Sequence, residues 1–105
     1  MKPATAAHVP APLTGMVAQA IDSLCAGCAV DSHPYRRYLE RTCWRVAADF
    51  AFLRKQVPTS ASVLDAGAVP PLLVALLAQA GHRQLTVVDP HASAFTPWFE
   101  AHGVH

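Results

Sequence analysis

The stretch from Ser62 to Pro90, SVLDAGAVPPLLVALLAQAGHRQLTVVDP, constrains the fold more than any other part of the chain. Two short apolar runs, Ala61 to Ala66 and Leu85 to Val88, read as buried strands of a parallel sheet. Between them, Pro71 to Ala80 carries a helical stripe at Leu72, Leu73, Leu76, Leu77 and Ala80, and Gly81 is placed to end that helix. Strand, tight turn, helix and strand in this order form the first β-α-β unit of an α/β sheet. An acidic residue closes each strand, Asp65 the first and Asp89 the second. Ligands of such sheets bind at the carboxyl ends of the strands, so Asp65, Ala66, Gly67, Asp89 and Pro90 are the candidate binding residues.

The turn between strand and helix narrows the ligand. A dinucleotide site needs G-x-G-x-x-G, whose backbone N–H groups cradle a pyrophosphate at the helix start. Pro70 and Pro71 have no N–H, and Val69 puts a branched side chain where the backbone has to come close. Of the expected glycines only Gly67 remains, which argues against any phosphate-bearing cofactor. An adenosine ligand without phosphates loses far less from these replacements. S-Adenosylmethionine is such a ligand, and its cationic sulfonium and amine suit the carboxylate of Asp65.

Here the chain resembles the class I, Rossmann-like, S-adenosylmethionine-dependent methyltransferases. Their first motif runs as a hydrophobic pair, then Asp or Glu, x, Gly, x, Gly, x, Gly. In this sequence it becomes Val63-Leu64-Asp65-Ala66-Gly67-Ala68-Val69-Pro70-Pro71, with the acid and first glycine kept and Val69 and Pro71 in place of the other two. Asp89 follows Asp65 by 24 residues, an interval similar to that of the family's second acidic position. The resemblance covers roughly residues 35–105. It implies Asp65 near the methionine end of the cofactor, Gly67 admitting it to the backbone, and Asp89 accepting from the ribose hydroxyls. It also implies methyl transfer to an O, N, C or S nucleophile, driven mainly by proximity and orientation. No residue is identified as the general base.

Each of these residues also has a purely structural reading. Asp65 can be a turn-stabilising carboxylate. Asp89 with Pro90 can be a turn former, and Gly67 is required by a tight strand-to-helix turn whatever binds there.

The chain divides into an Ala- and Pro-rich flexible lead-in over 1–12, a helical cap over 13–60 and the start of the Rossmann-like domain over 61–105. Leu13 to Val30 has helical spacing, with Gly27 as its stop. Asp31-Ser32-His33-Pro34 opens a second helix, with Asp31 or Ser32 as the capping oxygen. Tyr38, Leu39, Thr42, Val46, Ala47, Phe50 and Leu53 are expected to form its inner face, and the arginines its outer one. Thr96-Pro97 starts a short helix through His102, Gly103 ends it, and Val104-His105 are placed to begin a third strand. A sheet this small leaves an edge and helix faces uncovered, which favours a truncated fragment that dimerises or meets a complementing chain.

Net charge is +1, and the arginines nearest to a cluster, Arg36, Arg37, Arg41 and Arg45, lie along one helix, so nucleic acid is not the expected partner. The N-terminus has no continuous apolar core for a signal peptide, and no run approaches about 18 apolar residues, so no membrane span is expected. Cys25, Cys28 and Cys43, an odd number, argue against a secreted disulfide scaffold and for a reducing cytoplasm. Cys25-Ala26-Gly27-Cys28 with His33 and Cys43 has poor zinc spacing, so no metal is expected. The six histidines form no helical pair and read mostly as surface or capping residues, with His91 a candidate border of an adenine pocket. Tyr35, Tyr38 and Trp44 read as core or lid-packing residues, and Phe95, Trp98 and Phe99 as buried against the sheet.

The expected function is methyl transfer from S-adenosylmethionine to a small-molecule or otherwise unidentified acceptor. The alternatives are a non-catalytic methyltransferase-like interaction subunit and a nicotinamide or flavin oxidoreductase fragment.

Overall fold

A computed structural model describes residues 9–105, so most of the lead-in, including Lys2, Pro3 and His8, lies outside the described residues. Val9 is buried, and Ala11–Leu13 form a 3₁₀ turn that runs directly into helix α1, Thr14–Ala26. Helix α2 spans His33–Gln56, strand β1 Ser62–Ala66, helix α3 Leu72–Gln79 and strand β2 Gln84–Val88. A second 3₁₀ turn, Ala92–Phe95, leads into helix α4, Thr96–His102. The result is an α/β fold of four helices and a two-stranded parallel sheet.

Helix α3 is the centre of the packing. Leu72, Val74, Ala75, Leu76 and Leu77 are all buried, because α1 and α2 both pack on this helix and β2 also touches it. An apolar helix with no polar face has to be enclosed in this way. Helix α1 contributes Val17, Ala20, Ile21 and Leu24, and α2 contributes Leu39, Cys43, Ala47 and Phe50. The buried stripe of α2 is thus rotated from the expected one. Cys43 enters the core, while Tyr38 turns outward and Thr42 reaches only partial burial.

The cap of α2 also differs in detail from expectation. Ser32 is the N-cap but makes no side-chain bond, whereas Asp31 Oδ1 accepts from the His33 N–H at 3.1 Å. Helix α1 ends at Gly27 as expected, for a reason the local sequence does not show. A Cβ there would lie 2.7 Å from Trp98 Cβ, so only glycine lets α4 sit against the end of α1. Trp98 Nε1 then donates to Ser23 Oγ at 2.9 Å, and Tyr35 meets the edge of Phe95 at 5.0 Å. Phe95, Trp98 and Phe99 are buried, but Phe95 packs on Tyr35 of α2 and Trp98 is held to α1, where the sheet was the expected partner.

In the sheet, Ser62 pairs with Gln84 and Ala66 with Val88. Val63, Leu85 and Val87 belong to the helix-covered core. The other face is open, with Leu64 65% and Val88 57% exposed. The Gly67 N–H donates to the Val88 carbonyl at 2.8 Å, on the β1 side of β2. His105 meets the opposite edge: its N–H donates to the Leu85 carbonyl at 3.1 Å, and its carbonyl accepts from the Val87 N–H at 2.7 Å. This one-residue-straddling pattern is that of a parallel ladder. It places Val104-His105 beside β2, as expected for the start of a third strand.

Candidate functional site

The carboxyl end of β1 opens on a cleft of about 270 Å³ between α2 and the β1–α3 turn. One wall is Tyr38, Thr42, Val46 and Asp49 with Arg45, and the other is Asp65, Gly67, Ala68, Val69 and Pro70. Its volume is close to the lower end of small-molecule sites, about 300 Å³. The walls follow from the helix phase. Residues 38, 42, 45, 46 and 49 share one side of α2, and the turn crosses that side because Gly67 reverses the chain at the end of β1.

Gly67 adopts φ +71°, a left-handed conformation that favours glycine, and a Cβ on it would meet no atom within 4 Å. Its requirement is therefore backbone conformation rather than space. The Val69–Pro70 peptide is cis, and the Pro71 carbonyl accepts from the Ala75 N–H at 3.0 Å to begin α3.

Asp65 faces the cleft from the helix-covered side of β1 and is half-buried. Among the described residues no hydrogen-bond donor engages its carboxylate. Burial pushes its pKa above the ordinary value, and the negative charge of Asp89 pushes in the same direction. A cation placed in the cleft would relieve both effects.

Asp89 has a different environment. Its Oδ1 accepts from the His91 N–H at 2.8 Å and its Oδ2 from the Val69 N–H at 3.0 Å. These two backbone bonds, His91 first, hold its pKa below the ordinary value. Asp89 thus ties the end of β2 to the β1–α3 turn. A carboxylate has about four acceptor positions, so each oxygen retains capacity for a further donor. Asp89 and Pro90 lie outside the cleft lining, as does Ala66, which is exposed at the end of β1. The fold therefore brings Asp65 and Gly67 into one cleft and sets Asp89 behind its floor.

The remaining candidates separate. His91 is exposed and contributes its backbone N–H to Asp89. His82 is not at the surface: it is 2% exposed, and its Nδ1 has no partner among the described residues. Its N–H bonds the Leu77 carbonyl at 3.0 Å, which draws the residue under the end of α3. His102 stacks on Trp98 with ring centroids 4.3 Å apart. Tyr38 and Trp44, expected to pack inward, are exposed on α2. The three cysteines are free, and burial raises the pKa of both Cys25 and Cys43, which disfavours their thiolate forms. Among the described residues no group of three His, Cys, Asp or Glu side chains is placed to hold a metal ion, and no helix is long and apolar enough to cross a membrane.

Tyr38, Arg45 and Asp49 enter the cleft without having been singled out as binding residues. Their signal was the shared side of α2, legible only once the helix phase and the path of the turn are both known. A second recess of about 170 Å³, between α1 and α2, is largely apolar and ends at the Arg36–Asp22 ion pair of 3.0 Å. Arg36 is already engaged there by Asp22, and Glu40 leaves that recess one further carboxylate. Comparison with protein-family models, curated proteins and solved structures gives no match.

Proposed function

We propose that this chain is the cofactor-binding part of a class I, Rossmann-like, S-adenosylmethionine-dependent methyltransferase. The observation that carries the reading is Asp65, a half-buried carboxylate with no engaged donor at the wall of a cleft, at the carboxyl end of the first parallel strand. Ligands of open α/β sheets bind at that end. The unsatisfied negative charge selects a cationic group there, and the sulfonium and ammonium of S-adenosylmethionine are cationic.

A bound S-adenosylmethionine would supply an electrophilic methyl group for the acceptor's lone pair, the C–S bonding pair leaving with sulfur. The chain's own residues bind and orient. Asp65 holds the positive end, and Gly67 keeps the turn free of a side chain. Pro70 and Pro71 offer no N–H to a phosphate, which removes the competing dinucleotides. Asp89, while fastening Val69, has acceptor capacity left for the ribose hydroxyls, with Ala66 and Pro90 flanking the two acids. A reducing, cytoplasmic setting suits the free cysteines. The acceptor is a small molecule or another, unidentified nucleophile, and no side chain is assigned as its base.

The test is calorimetric titration of the 105-residue chain with S-adenosylhomocysteine and, separately, with NADH. Saturable binding of the first alone supports the proposal, and binding of NADH alone overturns it.

A second reading rests on the open sheet face. Exposed Leu64 and Val88 form part of an uncovered surface, which suits a non-catalytic subunit that pairs with a copy of itself or a complementing chain. In that case a well-folded chain binds neither ligand.

A further inference from the structure

Three arginines of α2 have no function in the packing. Arg37, Arg41 and Arg45 recur at every fourth residue along the exposed side of the helix. Like charges at that spacing repel each other and weaken a helix. Their neighbour Arg36 is engaged by Asp22 at 3.0 Å, but among the described residues no carboxylate lies within ion-pair distance of the other three. Residues 1–8 contain no Asp or Glu that might neutralise them.

Arg37 and Arg41, with Pro34, Tyr38 and Thr42, line an open groove of about 380 Å³. Tyr38 and Thr42 also line the cleft beside Asp65, and so does Arg45. Groove and cleft therefore share a wall on α2, and their charged linings differ. Asp49, Asp65 and Arg45 line the cleft, Arg37 and Arg41 the groove, and Tyr38 and Thr42 both. The charged lining of the groove is wholly cationic, which suits an anion there. Thr42 spends its hydroxyl proton on the Tyr38 carbonyl at 2.9 Å, whereas the Tyr38 ring is 51% exposed at the groove wall. The donors facing the groove are thus two guanidinium groups and a phenol. Guanidinium groups match carboxylate and phosphate oxygens in bidentate geometry.

We propose that this groove binds the oxyanion of a small molecule, a phosphate or carboxylate group, and that the bearer of this group is the methyl acceptor. The second half rests on the methyltransferase reading, and the first stands on the groove alone. The size favours a small molecule over a polynucleotide. The eight helical steps from Arg37 to Arg45 span only about 12 Å, and the chain's net charge of +1 provides no wider basic footprint.

The test follows the arginine Nε–Hε NMR signals of the whole chain during titration with inorganic pyrophosphate and, in parallel, succinate at fixed ionic strength. Saturable shifts of Arg37 and Arg41 with one common Kd, while Arg54 and Arg83 stay still, are expected. Tighter pyrophosphate binding identifies a phosphate, and tighter succinate binding a carboxylate. The Arg37→Gln/Arg41→Gln double variant is expected to bind the better anion at least tenfold more weakly, with S-adenosylhomocysteine affinity within twofold of the parent. Equal, unsaturable shifts of all arginines overturn the groove, as does an unchanged anion affinity in the double variant. A single-stranded oligonucleotide that binds tenfold tighter than pyrophosphate overturns the small-molecule assignment. Anion binding without S-adenosylhomocysteine binding sinks the acceptor role alone, and the converse sinks the groove alone.

Discussion

The Val69 amide donates to the Asp89 carboxylate at 3.0 Å, so a side chain from the end of β2 holds the turn that follows β1. The other oxygen accepts from His91, and together these bonds lower the Asp89 pKa. A carboxyl group whose folded pKa lies below its unfolded value stabilises the fold fully above the unfolded value, about 3.9 for Asp. That contribution is lost as the pH falls through the folded pKa. Asp89→Ala is therefore expected to lower Tm between pH 5 and 7 by a constant amount, with the difference from the parent closing below about pH 4. Thermal melts across pH check this, and a gap that persists at pH 2 contradicts it.

Asp65 has the opposite sign. Its pKa is raised by burial first and by Asp89 second, so the folded state holds this proton more tightly than the unfolded state does. The ionised group opposes folding at neutral pH, and this cost vanishes as the pH falls below the unfolded value. Asp65→Asn is expected to raise Tm at pH 7 by roughly 1–3 °C, less than the 4–8 °C that 1 kcal/mol is worth in a domain of this size. The gain disappears toward pH 3. Stabilisation of the fold by a substitution that harms binding is the signature of a site residue.

Gly67→Ala tests the backbone rather than the space around it. With φ at +71° and no atom within 4 Å of the place a Cβ would take, its only cost is the left-handed conformation, about 1–2 kcal/mol. Gly67→Asn is expected to cost less, because Asn tolerates that region. Equal urea midpoints for the two variants would refute this account of the turn.

Gly27→Ala tests a contact instead. The added methyl falls 2.7 Å from Trp98 Cβ, and overpacking of this kind costs about 1–3 kcal/mol. The expected result is a lowered urea midpoint together with a changed Trp98 fluorescence, as its bond to Ser23 is strained. A midpoint equal to that of the parent contradicts the close approach of α1 and α4.

The β1–α3–β2 frame was legible because each signal in it is local: apolar runs of strand length, a leucine stripe and the glycines at Gly67 and Gly81. The third-strand position of Val104-His105 was legible for the same reason. What escaped was the part set by distant partners. Asp89 reads alike as a ribose ligand or a turn former until the Val69 amide is seen to point at it. Tyr38 and Cys43 are both apolar enough for either side of α2, and their order was decided by how α3 packs. His82 looks like a surface residue until the Leu77 carbonyl draws its backbone inward. The glycine at Gly27 signalled a helix end, but the reason for it lies 71 residues away at Trp98.

The most direct test of the central claim is calorimetric titration of the folded chain with S-adenosylmethionine at pH 7, compared with Asp65→Asn. Saturable binding by the parent is expected, with affinity at least tenfold weaker in the variant, whose fold is verified by its thermal melt. A folded parent that shows no saturable binding, or a variant that binds equally well, contradicts the assignment of Asp65 to the cationic end of the cofactor.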